Sequence, residues 1–212
     1  MQDHDPLKDQ PKQQADDNSG VSRRDFLRIS TISAAAVPIL GTKVVQAAGV
    51  PVKVYGPGKV PVELTINGQK HALQLEPRVT LLDALRDQLE ITGAKRVCDR
   101  GECGACTILL DNKAVYACSV LAIEAQGKAI TTIEALMQGE TLHPIQQAFV
   151  DNDASQCGFC TPGFVVAFKA VLDQNPNANA EQIRHGLSGN VCRCGTYHGI
   201  HLAIEQMARK GA

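Results

Sequence analysis

The sequence has no tryptophan, only three tyrosines and five phenylalanines, and no excess of charge of either sign: 21 Lys and Arg stand against 22 Asp and Glu in 212 residues. Balanced charge excludes a basic face of the kind that nucleic acid requires. No uninterrupted apolar run reaches the roughly 20 residues needed to cross a bilayer, so no stable membrane span is expected. There is no nucleophile with a plausible base beside it, so no hydrolytic or acid–base catalytic residue is assigned to this chain. The apolar share of 44% is that of an ordinary globular protein and excludes wholesale disorder. The length suits two small domains, each with a modest core. Domains of that size usually need a staple: disulfides, a metal or a partner. Eight cysteines could supply either of the first two.

Residues 1–20 are polar and lack apolar periodicity. They are followed by "SRRDFLRISTISAAAVPILGTKVVQAA", which has paired arginines, Arg23 and Arg24, then Phe26 and Leu27, a weakly apolar stretch from Ile29 to Leu40, and a small-residue end. That order reads as an export signal over residues 1–47, removed after Val45-Gln46-Ala47. The twin arginines resemble a Tat signal, which addresses proteins that cross the membrane already folded. A periplasmic location follows. Exported proteins with an even cysteine count usually carry disulfides. A chain that folds in the reducing cytoplasm can instead take a metal on its thiolates before export.

Residues 48–60 are rich in Gly and Pro and read as a linker. From residue 61 to 136 a first domain is expected. "VELTING" alternates with Val62, Leu64 and Ile66 on one face, and Asn67-Gly68 is a type I′ hairpin signal. "QKHALQL" returns with Leu73 and Leu75 on one face. "TLLDALRDQL" opens with Thr80 and Asp83 in capping-box spacing and carries the stripe Leu81, Leu82, Leu85 and Leu89. Strands are expected at "TILLD", "AVYAC" and "KAITTIE". Between helix and strands lies "CDRGECGACTILL", with Cys98, Cys103 and Cys106 spaced C-x4-C-x2-C and Cys118 further on. This is the plant-type [2Fe–2S] pattern. Three thiolates from one loop and a fourth from a strand end can give each of two irons a pair. Gly101 and Gly104 would let the backbone come close. Zinc sites usually arrive as separated short-spaced pairs, and a disulfide scaffold would not require these glycines.

Beyond residue 136 the pattern becomes helical, and 137–212 reads as a four-helix domain. "LHPIQQAFVDN" is one helix, with His143 at its start. The second is expected to begin with Thr161 as N-cap and Pro162 behind it, burying Phe164, Val165, Phe168 and Val171. Asn179 and Gln182 have capping spacing before Ile183 and Leu187, and "IHLAIEQMARK" makes the last helix, with His198 and His201 on an exposed face. Cys157 and Cys160 precede one helix N-terminus, and Cys192 and Cys194 precede another. Two N-termini aimed at one site favour an anion. A second [2Fe–2S] cluster and a zinc site both fit this spacing.

The segments "CDRGECGACTILLD", "LHPIQQAF", "QCGFCTPG" and "SGNVCRCGTY" resemble, in this order, the small iron–sulfur subunit of the molybdenum hydroxylases (the xanthine oxidase family), most of all its exported aldehyde-oxidoreductase type. The likeness covers nearly everything after residue 60. It implies an α+β chain: a β-grasp ferredoxin-like domain with one [2Fe–2S] cluster on Cys98, Cys103, Cys106 and Cys118, then a four-helix domain with another on Cys157, Cys160, Cys192 and Cys194. It implies that Gln156 contacts the pterin of a molybdenum cofactor held by a large partner subunit, and that electrons leave toward a flavin (FAD) subunit or a cytochrome. Two departures stand out. Val97 occupies a place where the family commonly has Gly, and "CRCGTY" replaces the commoner "CRCTGY". A free-standing ferredoxin-like carrier would need only the first cysteine group. A zinc- or disulfide-stapled binding module would need no iron.

Overall fold

The computed structural model describes residues 55–56, 58–137 and 139–210. The expected export segment and most of the expected linker lie outside these residues. Strand β1 (Val60–Ile66) buries Val62, Leu64 and Ile66 and turns Glu63 outward, which is the alternation its sequence shows. Asn67 and Gly68 both have positive φ, 51° and 81°, as a type I′ turn demands. They return the chain as β2 (Gln69–Leu75), antiparallel to β1 with Ile66 opposite Gln69.

The segment after β2 departs from the single helix that its periodicity predicts. Thr80 Oγ1 accepts the Asp83 N–H at 3.1 Å, so the N-cap is made. Only Leu81–Asp83 (α1) is α-helical. Ala84–Gln88 widens into a π-turn, and Ala84 joins Leu81, Leu82 and Leu85 in complete burial.

Strands β3 (Thr107–Leu110) and β4 (Lys113–Tyr116) form a second hairpin about Asp111 and Asn112, both at positive φ. Strand β5 (Ala129–Thr131) lies parallel to β1 and antiparallel to β3, completing a mixed sheet of order β2-β1-β5-β3-β4. Four helices follow: α2 (Pro144–Asp151), α3 (Thr161–Gln174), α4 (Ala180–Gly186) and α5 (Tyr197–Lys210).

Two apolar cores lie within one compact unit, and β3 belongs to both. Ile108 and Leu110 pack with the sheet side chains and α1, whereas Leu109 packs among Phe149, Phe164 and Phe168 of the helical core. All four β3 residues are buried, as expected of a strand covered on both faces. Each such buried Leu or Ile contributes about 1.5–3 kcal/mol. One expected cap shifts: Cys160, not Thr161, is the N-cap of α3. The Thr161 hydroxyl instead meets Ser155 Oγ at 2.9 Å, and proline in the first turn costs no hydrogen bond. The other caps form as their spacing predicts. His143 opens α2, and Asn179 makes a full capping box with Gln182. Among the described residues no helix is long and apolar enough to cross a membrane.

Candidate metal centres

All eight cysteines are free thiols, and they gather in two nests. The first is built by the β3–β4 hairpin and the loop ahead of it. Antiparallel register brings Ala117 N–H to the Cys106 carbonyl at 3.2 Å. That places buried Cys106, just before β3, beside buried Cys118, just after β4. The loop from Cys98 closes over them. Gly101 N–H donates to Cys118 Sγ at 3.2 Å, and Glu102 N–H donates to Cys98 Sγ at 3.4 Å. The turn is possible because Gly101 and Gly104 take φ of 72° and 68°. Arg96, two residues before Cys98, is tied to Asp83 and Asp87 of the α1 segment at 2.5 and 2.7 Å, which fixes the entry to the loop.

The second nest lies at two helix starts. Cys157 and Cys160 sit on the loop into α3, and Cys192 and Cys194 on the loop into α5. Cys192 is buried, Cys160 half-buried, and Cys157 and Cys194 exposed. Tyr197, the first residue of α5, accepts the Cys192 N–H at its hydroxyl (2.8 Å), and its ring meets Phe164 edge-on at 6.4 Å. Gln156 is exposed beside Cys157, and His198 and His201 are exposed on α5.

Within each nest the thiols lie close enough to shift one another's ionisation: Cys98 with Cys103, Cys106 with Cys118 and Cys103, Cys157 with Cys194 and Cys192, and Cys160 with Cys192 and Cys157. Burial pushes the Cys106 thiol up to about 12, with the adjacent Cys118 adding to the shift. Burial likewise pushes Cys160 up to about 12, aided by Cys192. Burial also opposes ionisation of Cys98, but N–H donors from Arg100, Glu102 and Cys103 and the Cys103 thiol outweigh it and bring Cys98 to about 7. Cys192 is likewise brought to about 7, against burial, by Thr196 and Cys160. A second buried thiolate beside a first is unfavourable unless a cation lies between them, and metal ligation supplies that charge. Among the described residues no three His, Cys, Asp or Glu converge as on one ion. Four thiols per nest match a two-iron cluster, in which each iron takes two thiolates. The donor set and the inward N–H groups therefore fit [2Fe–2S].

The two nests touch. Val191 N–H donates to the Cys103 carbonyl at 2.9 Å. Beside it, Asn190 Nδ2 donates to the Gly104 carbonyl, and the Tyr116 hydroxyl donates to the Gly189 carbonyl at 2.9 Å. Sequence reasoning missed Val191, Asn190, Tyr116 and Gly189, as well as Thr196 and Tyr197. "SGN" reads locally only as a helix breaker, and nothing in the spacing marks Tyr116 as anything but a strand residue.

Comparison with known proteins agrees with this geometry. A 2Fe–2S iron–sulfur cluster binding domain model matches residues 64–132, and a [2Fe–2S] binding domain model matches residues 132–205. The chain is 40% identical over 203 residues to the aldehyde oxidoreductase iron–sulfur-binding subunit PaoA of Escherichia coli, a match spanning 89% of this chain and 88% of that one. It is 42% identical over 146 residues to the nicotine 6-hydroxylase small subunit of Paenarthrobacter nicotinovorans, spanning 69% of this chain and 88% of that one. Among solved structures it resembles quinoline 2-oxidoreductase of Pseudomonas putida with a TM-score of 0.69 and 40% identity, over 73% of this chain and 96% of that chain. It also resembles the aldehyde oxidoreductase of Desulfovibrio desulfuricans with a TM-score of 0.67 and 39% identity, over 71% of this chain and 17% of that one.

A mixed sheet and a helical unit, each carrying a four-thiol nest, define a two-domain [2Fe–2S] protein. The chain belongs to the family of small [2Fe–2S] subunits of the molybdenum hydroxylases.

Proposed function

We propose that this chain is the electron-transfer subunit of an exported molybdenum hydroxylase of the aldehyde-oxidoreductase type. When bound, the two [2Fe–2S] clusters supply one-electron redox chemistry. Cys98, Cys103, Cys106 and Cys118 would hold one, and Cys157, Cys160, Cys192 and Cys194 the other. The observation that carries this reading is the Val191–Cys103 hydrogen bond. It joins a cysteine of one nest to the residue preceding Cys192 of the other, so a path of covalent bonds and one hydrogen bond connects them.

Oxidation of an aldehyde or heterocycle releases two electrons together, and this chain divides them into single transfers. The second nest faces the source. Its Cys157 and Cys194 are exposed, and Phe159 and Val191 beside the nest are 55% and 48% exposed, an apolar rim suited to a large molybdenum-cofactor subunit. Gln156, exposed next to Cys157, would contact the pterin of that subunit. The first nest would hand electrons to an FAD subunit or a cytochrome.

The Tat reading rests on the order of the sequence itself: Arg23 and Arg24, then the apolar stretch Ile29 to Leu40, then the small-residue end at Val45-Gln46-Ala47. Iron and acid-labile sulfide analysis of the native protein tests the relay. About four irons per chain and two distinct EPR signals on reduction are expected, and zinc without iron would remove the electron-transfer role. Arg23→Lys with Arg24→Lys should trap precursor in the cytoplasm; unaffected export would refute the Tat reading.

A further inference from the structure

Cys192 is held by its surroundings at two points. Its N–H is fixed on the Tyr197 hydroxyl, and its Sγ lies 3.2 Å from Thr196 Oγ1. Gly195, at φ 81°, turns the chain so that the side chain of Thr196, four residues after Cys192, reaches back to the sulfur. The Thr196 carbonyl in turn accepts the Ile200 N–H at 3.1 Å, which locks Thr196 to the first turn of α5. In the first nest a hydroxyl, Ser119 Oγ, stands 3.7 Å from Cys118 Sγ, and the closer donors to the sulfurs are backbone N–H groups.

In the free thiol either atom of the Thr196–Cys192 pair could donate. A metal-bound thiolate has no proton, so there the hydroxyl must be the donor. Cys192 is 6% exposed, and a hydrogen bond made in that environment is weakened little by water. One-electron reduction adds a negative charge that spreads onto the ligand sulfurs, with no bond broken and no proton moved. A donor aimed at a sulfur stabilises the reduced state more than the oxidised one and raises the potential.

We infer that Thr196 is a positioning residue whose hydroxyl raises the reduction potential of the centre on the second nest, independently of the first. This rests on the reading of Cys192 as an iron ligand. The electron comes from substrate oxidation on the partner chain and leaves to the first nest. Thr196 thus sets how long the second nest holds it.

The test is an EPR-monitored redox titration of the full complex carrying wild-type chain, Thr196→Val or Thr196→Ser, with signals assigned through Cys106→Ser. In Thr196→Val the second-nest midpoint should fall, corresponding to a roughly three- to tenfold weaker hold on the electron. Thr196→Ser should restore it, and the first-nest midpoint should stay fixed in both. An unmoved second-nest midpoint in Thr196→Val with full iron content overturns the inference. So does a shift of both midpoints together, or loss of iron from Thr196→Val alone, which would make the hydroxyl an assembly element. Absence of iron from the wild-type protein would instead sink the ligand reading.

Discussion

The side-chain amide of Asn190 donates to the Gly104 carbonyl at 2.9 Å, across 86 residues of sequence. The same amide reaches Thr107 Oγ1 at 3.3 Å, and the Thr107 hydroxyl itself donates to Gly104 at 2.6 Å. Asn190 and Thr107 are both buried, so this small network is shielded from water and ties the loop of the first nest to the loop of the second. Asn190→Ala should cost about 1–3 kcal/mol. For a domain of this size that lowers the melting temperature by about 2–4 °C per kcal/mol. Asn190→Asp should be worse than Ala, because it points an acceptor at a carbonyl where a donor is needed. Thermal unfolding of the two variants checks the order, and equal melting temperatures would argue against the network.

Gly163 in α3 lies against the same loop. A Cβ there would stand 2.2 Å from the Gly104 carbonyl oxygen and 3.1 Å from Ala105 Cα. In an unconstrained helix Gly→Ala stabilises by about 1 kcal/mol. Here the contact reverses the sign, and Gly163→Ala should destabilise by about 1–3 kcal/mol. Because the displaced group lies between Cys103 and Cys106, the first-nest EPR line shape should change although the substitution is in a helix of the other core. An unchanged line with unchanged stability would show that the helix and loop do not press on each other.

Cys106→Ser removes a buried thiol paired with Cys118. Iron should fall from about four to about two per chain, with one EPR signal lost and the other kept. Loss of both would mean that the second nest cannot assemble without the first.

His143 gives the chain an acid-sensitive cap. Its Nδ1 accepts the Ile145 N–H at 3.3 Å, and its backbone N–H donates to Gln146 Oε1 at 2.9 Å. Burial holds its pKa below the usual 6.5, with Lys169 adding to the effect and Asp173 opposing it. The unfolded chain therefore takes up this proton first as pH falls. The stabilisation is complete above about pH 6.5 and is lost as pH drops through the lower folded value. His143→Asn keeps a capping acceptor and removes the titration. Melting temperatures measured from pH 8 to pH 5 should fall less steeply for His143→Asn than for wild type, and parallel curves would exclude His143 as a source of acid sensitivity.

Much of the architecture was legible locally. Asn67-Gly68 announces its turn because few other pairs tolerate two positive φ values, and Asn179 with Gln182 announces a helix start because the contact spans three residues. The N-cap of α3 lies one residue before the cap that the local pattern predicts. Thr161 has the chemistry of a cap, but Ser155, six residues away, claims its hydroxyl.

The sequence by itself determined where the thiols stand: eight of them at spacings that loops and helix starts bring into two nests, with glycines where the backbone must turn. Those are short-range constraints, set by chain geometry over a few residues. Only the tertiary structure decided how the nests stand to each other. Leu109 faces the helical core while its neighbours face the other, and Tyr116 meets Gly189 across 73 residues. Such contacts depend on how two cores pack onto one shared strand, and no local pattern of residues encodes that.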